Sequence, residues 1–220
     1  MNVGIVGGTG PAGRALALRL AVAGNDVVVG SRDPLRSDSA VGELRESLVD
    51  GAGSLRPGTN VDAALCQIVV LATPWEGAVA TAADLSVQLR EKVLVSMVNA
   101  LARVGNEFQA LILSRGSVAA SIQSVLPETL VTTGFQHLPA RELARVDRGL
   151  DADVLVCSDS ERGFLETRDL VSSISGLRAV FSGSLASANA VEALTAVLLN
   201  INVRYKTHVS MRLTGLSENG

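Results

Sequence analysis

Aromatic residues are nearly absent from this chain: Phe, Trp and Tyr occupy 3% of its 220 positions. Its core must therefore be filled by Val, Leu, Ile and Ala. Cysteine is equally scarce. Cys66 and Cys157 each sit in or beside an apolar run, which predicts buried free thiols rather than a disulfide or a metal pair. A reducing cytoplasm is the expected compartment. Basic charge is not in excess. The formal net charge is −3, no basic block occurs, and aromatic and basic residues do not interleave. That balance argues against a general nucleic-acid binder. The N-terminus is apolar but carries no positive region, so it does not read as a signal peptide. The longest late apolar stretch, residues 188–203, is interrupted by Glu192, Asn200 and Asn202. It reads as too short and too polar to span a bilayer. No low-complexity tract, Ser-His-Asp order, metal-ligand cluster or paired-carboxylate geometry stands out. Small molecules are the expected partners, with no nucleic acid, no membrane and no metal.

Hydrophobic residues make up 47% of the chain and charged ones 19%, the balance of a globular protein. The length allows one large core, or one core plus a small lobe. Many Val-rich runs suit strands buried on both faces, as in a parallel sheet.

The strongest pattern lies in the first 32 residues. An apolar run at 3–6 is followed at once by Gly8-Thr9-Gly10-Pro11-Ala12-Gly13, then by a helical segment at 14–23 with Leu16, Leu18 and Leu20. Val27-Val28-Val29 forms a second strand, and Gly30-Ser31-Arg32 ends it. Strand, G-x-G-x-x-G, helix, strand is the dinucleotide-binding fingerprint in its required context. Gly8 permits the tight turn, Gly10 lets a pyrophosphate approach the backbone, and Gly13 lets the helix pack close to the sheet. Pro11 suits the first helical turn, where a missing N–H costs nothing. The helix N-terminus offers free N–H groups to phosphates.

The end of the second strand selects the dinucleotide. An acidic residue roughly 20 residues past the glycines would bond the ribose 2′-hydroxyl of NAD. Ser31 and Arg32 stand there instead. A hydroxyl and a guanidinium bind a 2′-phosphate that a carboxylate would repel. Arg36 adds a second cation one helical turn on, while Asp33 is placed to cap the next helix. NADP(H) is the expected cofactor.

Further along, strands and helices alternate. Helices are expected at 34–49, 61–65, 75–89, 117–126, 161–173 and from Gly183 onward. Strands are expected at 67–72, 93–96, 130–133, 153–157 and 179–181, with a weaker one at 54–56 inside a Gly, Pro and Ser-rich loop at 50–60. Residues 97–116 have no clean period and are expected to wrap a cleft. The alternation predicts an α/β fold: a Rossmann-type doubly wound, mostly parallel sheet with a small C-terminal lobe. Residues 1–157 are expected to form the NADP-binding domain and 158–220 the smaller lobe. Ligands bind beyond the carboxyl ends of such strands. That rule selects residues 8–12, 30–32, 73–75, 97–99 and 134–140, and from them Thr73, Pro74, Trp75, Val98, His137, Pro139 and Ala140 join the candidate cofactor-binding residues. His137 is either a proton donor or a loop-fixing residue, and no catalytic residue is otherwise indicated. Trp75 either stacks on a ring or packs at a helix start, and Glu76 complements that helix's dipole. Hydride transfer between two bound cofactors needs alignment more than acid–base groups.

Several segments together resemble the NADPH-dependent coenzyme F420 reductases: Gly7-Gly8-Thr9-Gly10 with Gly13, Val29-Gly30-Ser31-Arg32, Pro74-Trp75-Glu76, and Leu199-Asn200-Ile201-Asn202 with Arg204-Tyr205-Lys206. The resemblance runs from Met1 to about Leu216. It implies hydride transfer between NADP(H) and the deazaflavin ring of coenzyme F420. It places NADP(H) at Thr9, Gly10, Pro11, Ala12, Ser31, Arg32 and Arg36, and the nicotinamide near Pro74 and residues 137–140. The deazaflavin would lie in a cleft closed by the C-terminal segment, where Arg204, Lys206 and Arg212 could meet its acidic tail. The apolar final helix, with Val191, Leu194, Val197, Leu198 and Ile201, predicts a homodimer. The alternatives are another NADPH-dependent dehydrogenase or imine reductase, NADPH-driven reduction of a flavin or ferric chelate, or a non-catalytic NADP(H)-binding redox sensor.

Overall fold

The computed structural model describes residues 1–48 and 51–216. Val49 and Asp50, at the expected end of one helix and start of a loop, lie outside the described residues, as do 217–220 of the C-terminal segment. The chain opens with β1 (Asn2–Val6), α1 (Pro11–Val22), β2 (Asp26–Ser31), α2 (Pro34–Arg45), β3 (Leu55–Thr59), α3 (Asn60–Ala64) and β4 (Ile68–Leu71). It continues through α4 (Trp75–Asp84), α5 (Ser86–Leu89), β5 (Val93–Ser96), β6 (Leu101–Val104), β7 (Glu107–Ala110), α6 (Val118–Val125), β8 (Leu130–Thr133) and α7 (Ala140–Leu143). It closes with β9 (Ala152–Val156), α8 (Glu161–Ser172), β10 (Leu177–Phe181), a 3-10 turn at Leu185–Ser187 and α9 (Ala188–Tyr205).

Six strands form one parallel sheet in the order β3-β2-β1-β4-β5-β8. The chain winds outward from β1 in one direction, then returns to wind outward in the other. The switch point therefore lies between β1 and β4, with the glycine turn directly above it. Val3, Ile5, Val27, Val29, Val70 and Val95 point into one apolar core shared with Leu16, Leu20, Leu170 and Val171. Val6, Val69, Leu71 and Leu94 point into a second core with Ala63, Ala78, Ala82 and Ile122. Burial of both faces explains the continuous Val-rich strands.

The strands β9 and β10 form their own parallel pair. An antiparallel bridge between Thr132 and Ser158 attaches the pair to β8. The Cys157 N–H donates to Thr133 Oγ1 at 2.8 Å beside it. The division expected at 157 falls at this junction, and β9 and β10 pair residue by residue across it. Cys66 and Cys157 are buried free thiols, and burial raises the pKa of each.

Several elements differ from the sequence expectation: the helix expected at 34–49 ends at Arg45, and the short α7 was not expected. The weak strand at 54–56 is a five-residue strand, Leu55–Thr59, that includes Pro57 and Gly58. It is the edge of the sheet, where a proline's missing N–H leaves no partner short. The helix expected at 75–89 divides at Leu85 into α4 and α5. Residues 97–116 contain a hairpin, β6–β7, whose strands are mostly exposed and so carry little periodicity. The final helical stretch, Leu185–Tyr205, is 21 residues with a mean hydropathy of 1.2, long and apolar enough to cross a membrane by length and composition. Its polar residues are nonetheless committed to protein partners. Glu192 accepts from the Val118 and Ala119 N–H groups at 2.9 and 3.1 Å. Thr195 donates to Asn99 Oδ1 at 3.2 Å. Asn200 accepts from the Phe108 N–H at 2.7 Å and donates to the Phe108 carbonyl at 2.9 Å, which ties α9 to the hairpin. Asn202 accepts from the Val209 N–H at 2.7 Å and so holds the segment after the helix.

Candidate dinucleotide cleft

The chain leaves β1 through Gly7, whose φ of 72° lies in the left-handed region that favours glycine. The Gly7 N–H donates to Asn60 Oδ1 at 3.1 Å, and the Gly8 N–H to the Gly30 carbonyl at 2.9 Å. These bonds fix the turn against the ends of β2 and β3. Gly13 sits where a Cβ would come within 2.8 Å of Gly8 Cα, so the helix can approach the turn only without a side chain there. Gly10 caps α1 with no side-chain hydrogen bond, and the helix has no acidic residue in its first turn. A Cβ at Gly10 would find its nearest neighbour 4.0 Å away. The first N–H groups of α1 therefore face open space with their positive potential unspent.

A cleft of about 600 Å³ lies in front of them, lined by Gly7, Thr9, Gly10, Ser31, Arg32, Asp33, Arg36, Asn60, Ala72, Thr73, Pro74, Gly77 and Thr81. Ser31 is buried at the end of β2, and its Oγ accepts from the Asp33 N–H at 3.2 Å. The Ser31 hydroxyl proton remains available to a ligand acceptor. Asp33 accepts from the Leu35 N–H at 3.0 Å and caps α2, so this carboxylate is spent on the helix. Arg32 and Arg36 are exposed and make no ion pair among the described residues. The cleft thus has a cationic end at Arg32 and Arg36, a helix terminus at its middle, and Thr73 and Pro74 at its other end.

Of the residues singled out in the sequence, Thr9, Gly10, Ser31, Arg32, Arg36, Thr73 and Pro74 meet in this cleft. Gly8 and Gly13 lie beneath it and shape the turn. Pro11 is exposed at the first position of α1, and Ala12 packs against the first core. Trp75 is half-buried at the start of α4 against the second core, the helix-packing position. Val98 is buried in that core. Pro139 precedes α7 and Ala140 begins it, packed on the first core.

His137 uses one ring nitrogen to hold the loop and leaves the other, Nδ1, without a partner among the described residues. It is 3% exposed, and its Nε2 accepts from the Leu155 N–H at 3.0 Å. Burial pushes its pKa down to about 4, which favours the neutral ring. The bond to Leu155 ties the loop after β8 to β9. The cationic cluster at the C-terminus is also parted. Arg212 lies 3.4 Å from Asp151 and 3.4 Å from the buried Asp153, while Arg204 and Lys206 stand at the end of α9.

Asn60, Gly77 and Thr81 line the cleft without having been singled out. The Thr59–Asp62 capping box was readable in the sequence and places Asn60 at the first position of α3. Gly77 and Thr81 carry no such signal; four positions apart on α4, they share the face that lines the cleft.

An open parallel sheet, a glycine turn at its switch point and an uncapped helix facing that turn define a dinucleotide-binding protein of the Rossmann class. The particular family follows from comparison with known proteins. The family described as NADP oxidoreductase, coenzyme F420-dependent, matches residues 2–100. An F420-dependent NADP reductase of Methanothermobacter thermautotrophicus is 34% identical over 99% of this chain and 97% of its own length. One from Methanocaldococcus jannaschii is 34% identical over 98% of this chain and 99% of its own. A crystal structure from Arthrobacter sp. FB24, described as a candidate F420-dependent NADP-reductase, has a TM-score of 0.80 at 22% identity, covering 97% of this chain and 100% of that one. That likeness is one of fold. The chain belongs to the coenzyme F420-dependent NADP oxidoreductase family.

Proposed function

We propose that this chain transfers hydride directly between NADP(H) and coenzyme F420, in either direction. The observation that carries this reading is the likeness, over nearly the whole chain, to F420-dependent NADP reductases. The nicotinamide supplies or receives the hydride, and the deazaflavin is its counterpart. The cleft fits the first of these cofactors on its own geometry. The open side of Gly10 and the uncapped start of α1 receive the pyrophosphate, with Thr9 beside them. Ser31, Arg32 and Arg36 hold the adenosine 2′-phosphate, and no free carboxylate opposes it there. Asn60 keeps Gly7 in its left-handed conformation. Thr73 and Pro74 orient the nicotinamide at the end of β4. No side chain needs to move a proton in such a transfer.

Residues 1–157 serve as the NADP(H) side in this reading, and 158–220 complete the F420 side through α9. The protein acts as a homodimer in a reducing cytoplasm. Free thiols at Cys66 and Cys157 support the compartment. Of the expected dimer face, Val191 and Leu198 are buried within the chain itself, and the exposed Val197, with Val203 further along α9, supports a second copy.

Anaerobic stopped-flow mixing with NADPH and F420 tests the reaction. Loss of the oxidised deazaflavin absorbance at the rate of NADPH consumption is the expected result. Turnover of a small carbonyl or imine with no F420 reduction would replace this reading with the dehydrogenase one. Tight NADPH binding with no acceptor turned over would leave a sensor.

A further inference from the structure

Charged side chains are almost never fully buried unless they are paired. Arg19, in the last turn of α1, is 5% exposed and makes no ion pair among the described residues. Its guanidinium is spent on backbone carbonyls instead. Nε donates to the Leu143 carbonyl at 2.9 Å and Nη1 to that of Arg148 at 2.8 Å. Nη2 donates to the carbonyls of Glu142 and Arg145 at 2.8 and 2.7 Å. A cation near a helix C-terminus ordinarily answers that helix's own carbonyls. Here all four bonds leave α1 and close on one stretch of chain, residues 142–148.

That stretch needs an outside hold. The helix α7 is a single turn of four residues, far below the length at which a helix stands by itself. From Ala144 to Arg148 the chain forms no helix or strand. The Glu142 carboxylate turns to Arg145 and Arg148 rather than to Arg19. Upstream, the chain is already fixed toward the C-terminal half, where the Gln136 carbonyl accepts from Thr195 on α9 at 3.4 Å. The other end of α1 is the open helix terminus in the dinucleotide cleft. Gly10 to Arg19 spans about 14 Å along the helix axis. Between them α1 is unbroken, and residues 15–21 are all buried. Such a helix moves as one body. A ligand that stills its first turn also stills the fork at its last, and with it the carbonyls the fork holds.

We propose that Arg19 is a positioning residue that couples nucleotide binding at the start of α1 to the ordering of residues 140–148. The proposal rests on the reading of the cleft as an NADP(H) site and does not depend on the second cofactor. Hydrogen exchange of the segment's amides, with and without saturating NADP+, tests it in the wild-type chain, in Arg19→Lys and in Arg19→Met. Lysine keeps the charge but offers a point donor in place of the fork, and methionine leaves no charge to bury. Titration gives the NADP+ dissociation constant of each chain, and thermal midpoints confirm folding. In the wild type, NADP+ should slow exchange of the 142–148 amides about 5-fold or more, the lower end of a coupling between sites. In either variant the slowing should shrink below about twofold, while the NADP+ dissociation constant stays within about twofold of wild type. A residue that only holds the fold together would speed exchange in both states and leave the effect of NADP+ intact, and that outcome would overturn the proposal. No slowing in a wild type that binds NADP+ would also overturn it. The wild-type comparison can do so by itself, whether or not a variant folds. A wild-type chain that binds no NADP+ would overturn the cofactor reading first, and the proposal with it.

Discussion

In the proposed arrangement, Arg32 discriminates between phosphorylated and unphosphorylated nucleotide. Arg32→Ala should weaken NADPH binding by about 10- to 100-fold, the range of a charge-assisted hydrogen bond, and leave NADH binding unchanged. Isothermal titration with both nucleotides checks it. Two buried titratable groups set opposing pH slopes. Burial raises the Glu192 pKa from 4.5 to about 7, against the two N–H groups at the start of α6. Its contribution to stability is full below pH 4.5 and is lost as pH rises through 7, by about 3 kcal/mol. The His137 pKa is lowered from 6.5 to about 4, so its contribution is full above 6.5 and is lost as pH falls toward 4. Between pH 4.5 and 6.5 the two slopes offset each other. Urea unfolding of Glu192→Gln should therefore show stability rising with pH in that window, and His137→Asn stability falling with it. A flat profile in either variant would contradict these environments. At this scale the sequence was legible where a residue's place follows from local pattern, as at Gly8 and Gly13 in the turn and Ser31 and Arg32 at the cleft. It left the two readings of His137 open, because the bond from the Leu155 N–H depends on β9, which comes near only in the folded chain.

The final helix shows how an element can be misjudged from composition. Its Leu-Leu-Asn-Ile-Asn block looks like an apolar segment with two interruptions, yet Asn200 and Asn202 are its attachment points. Asn200→Ala removes both bonds to Phe108. We expect a loss of about 1–2 kcal/mol in urea unfolding and faster exchange of the Phe108 amide, with the β1–β4 amides unaffected. Uniform acceleration across the sheet would show instead that the hairpin is not a separate unit. The hairpin β6–β7 escaped sequence reading for the same reason. It buries little on its own and is organised by α9, so its strands carry no apolar alternation. The edge strand β3 was half-legible because Pro57 and Gly58 argue against a strand everywhere except at a sheet edge. Strands β1, β2, β4, β5 and β8 were plain, because burial on both faces leaves them uniformly apolar.

At the scale of the whole molecule, the proposed second copy would cover apolar residues exposed on α9. Val197 is 53% exposed and Val203 48%, on the same element as Tyr205 at 72%. Light scattering at micromolar concentration should report twice the chain's 22.8 kDa, and Val197→Glu with Val203→Glu should return it to one chain. A monomeric wild type would remove the second copy from the proposed arrangement. The winding of the sheet about β1 was legible from the alternation of strands and helices. The attachment of the β9–β10 pair was not, because it rests on an isolated bridge, side-chain bonds from Thr133 and His137 and a shared core rather than on a continuous ladder.

The sulfur atoms of Cys66 and Cys157 give the chain two internal clocks. Alkylating reagents need a solvated thiolate, and both thiols are packed away with raised pKa values. Cys66 sits just past α3, the helix that carries Asn60, and Cys157 sits between β8 and the β10 side. The labelling rate at each sulfur times the breathing of its own end of the sheet, so saturating nucleotide should slow the first clock more than the second.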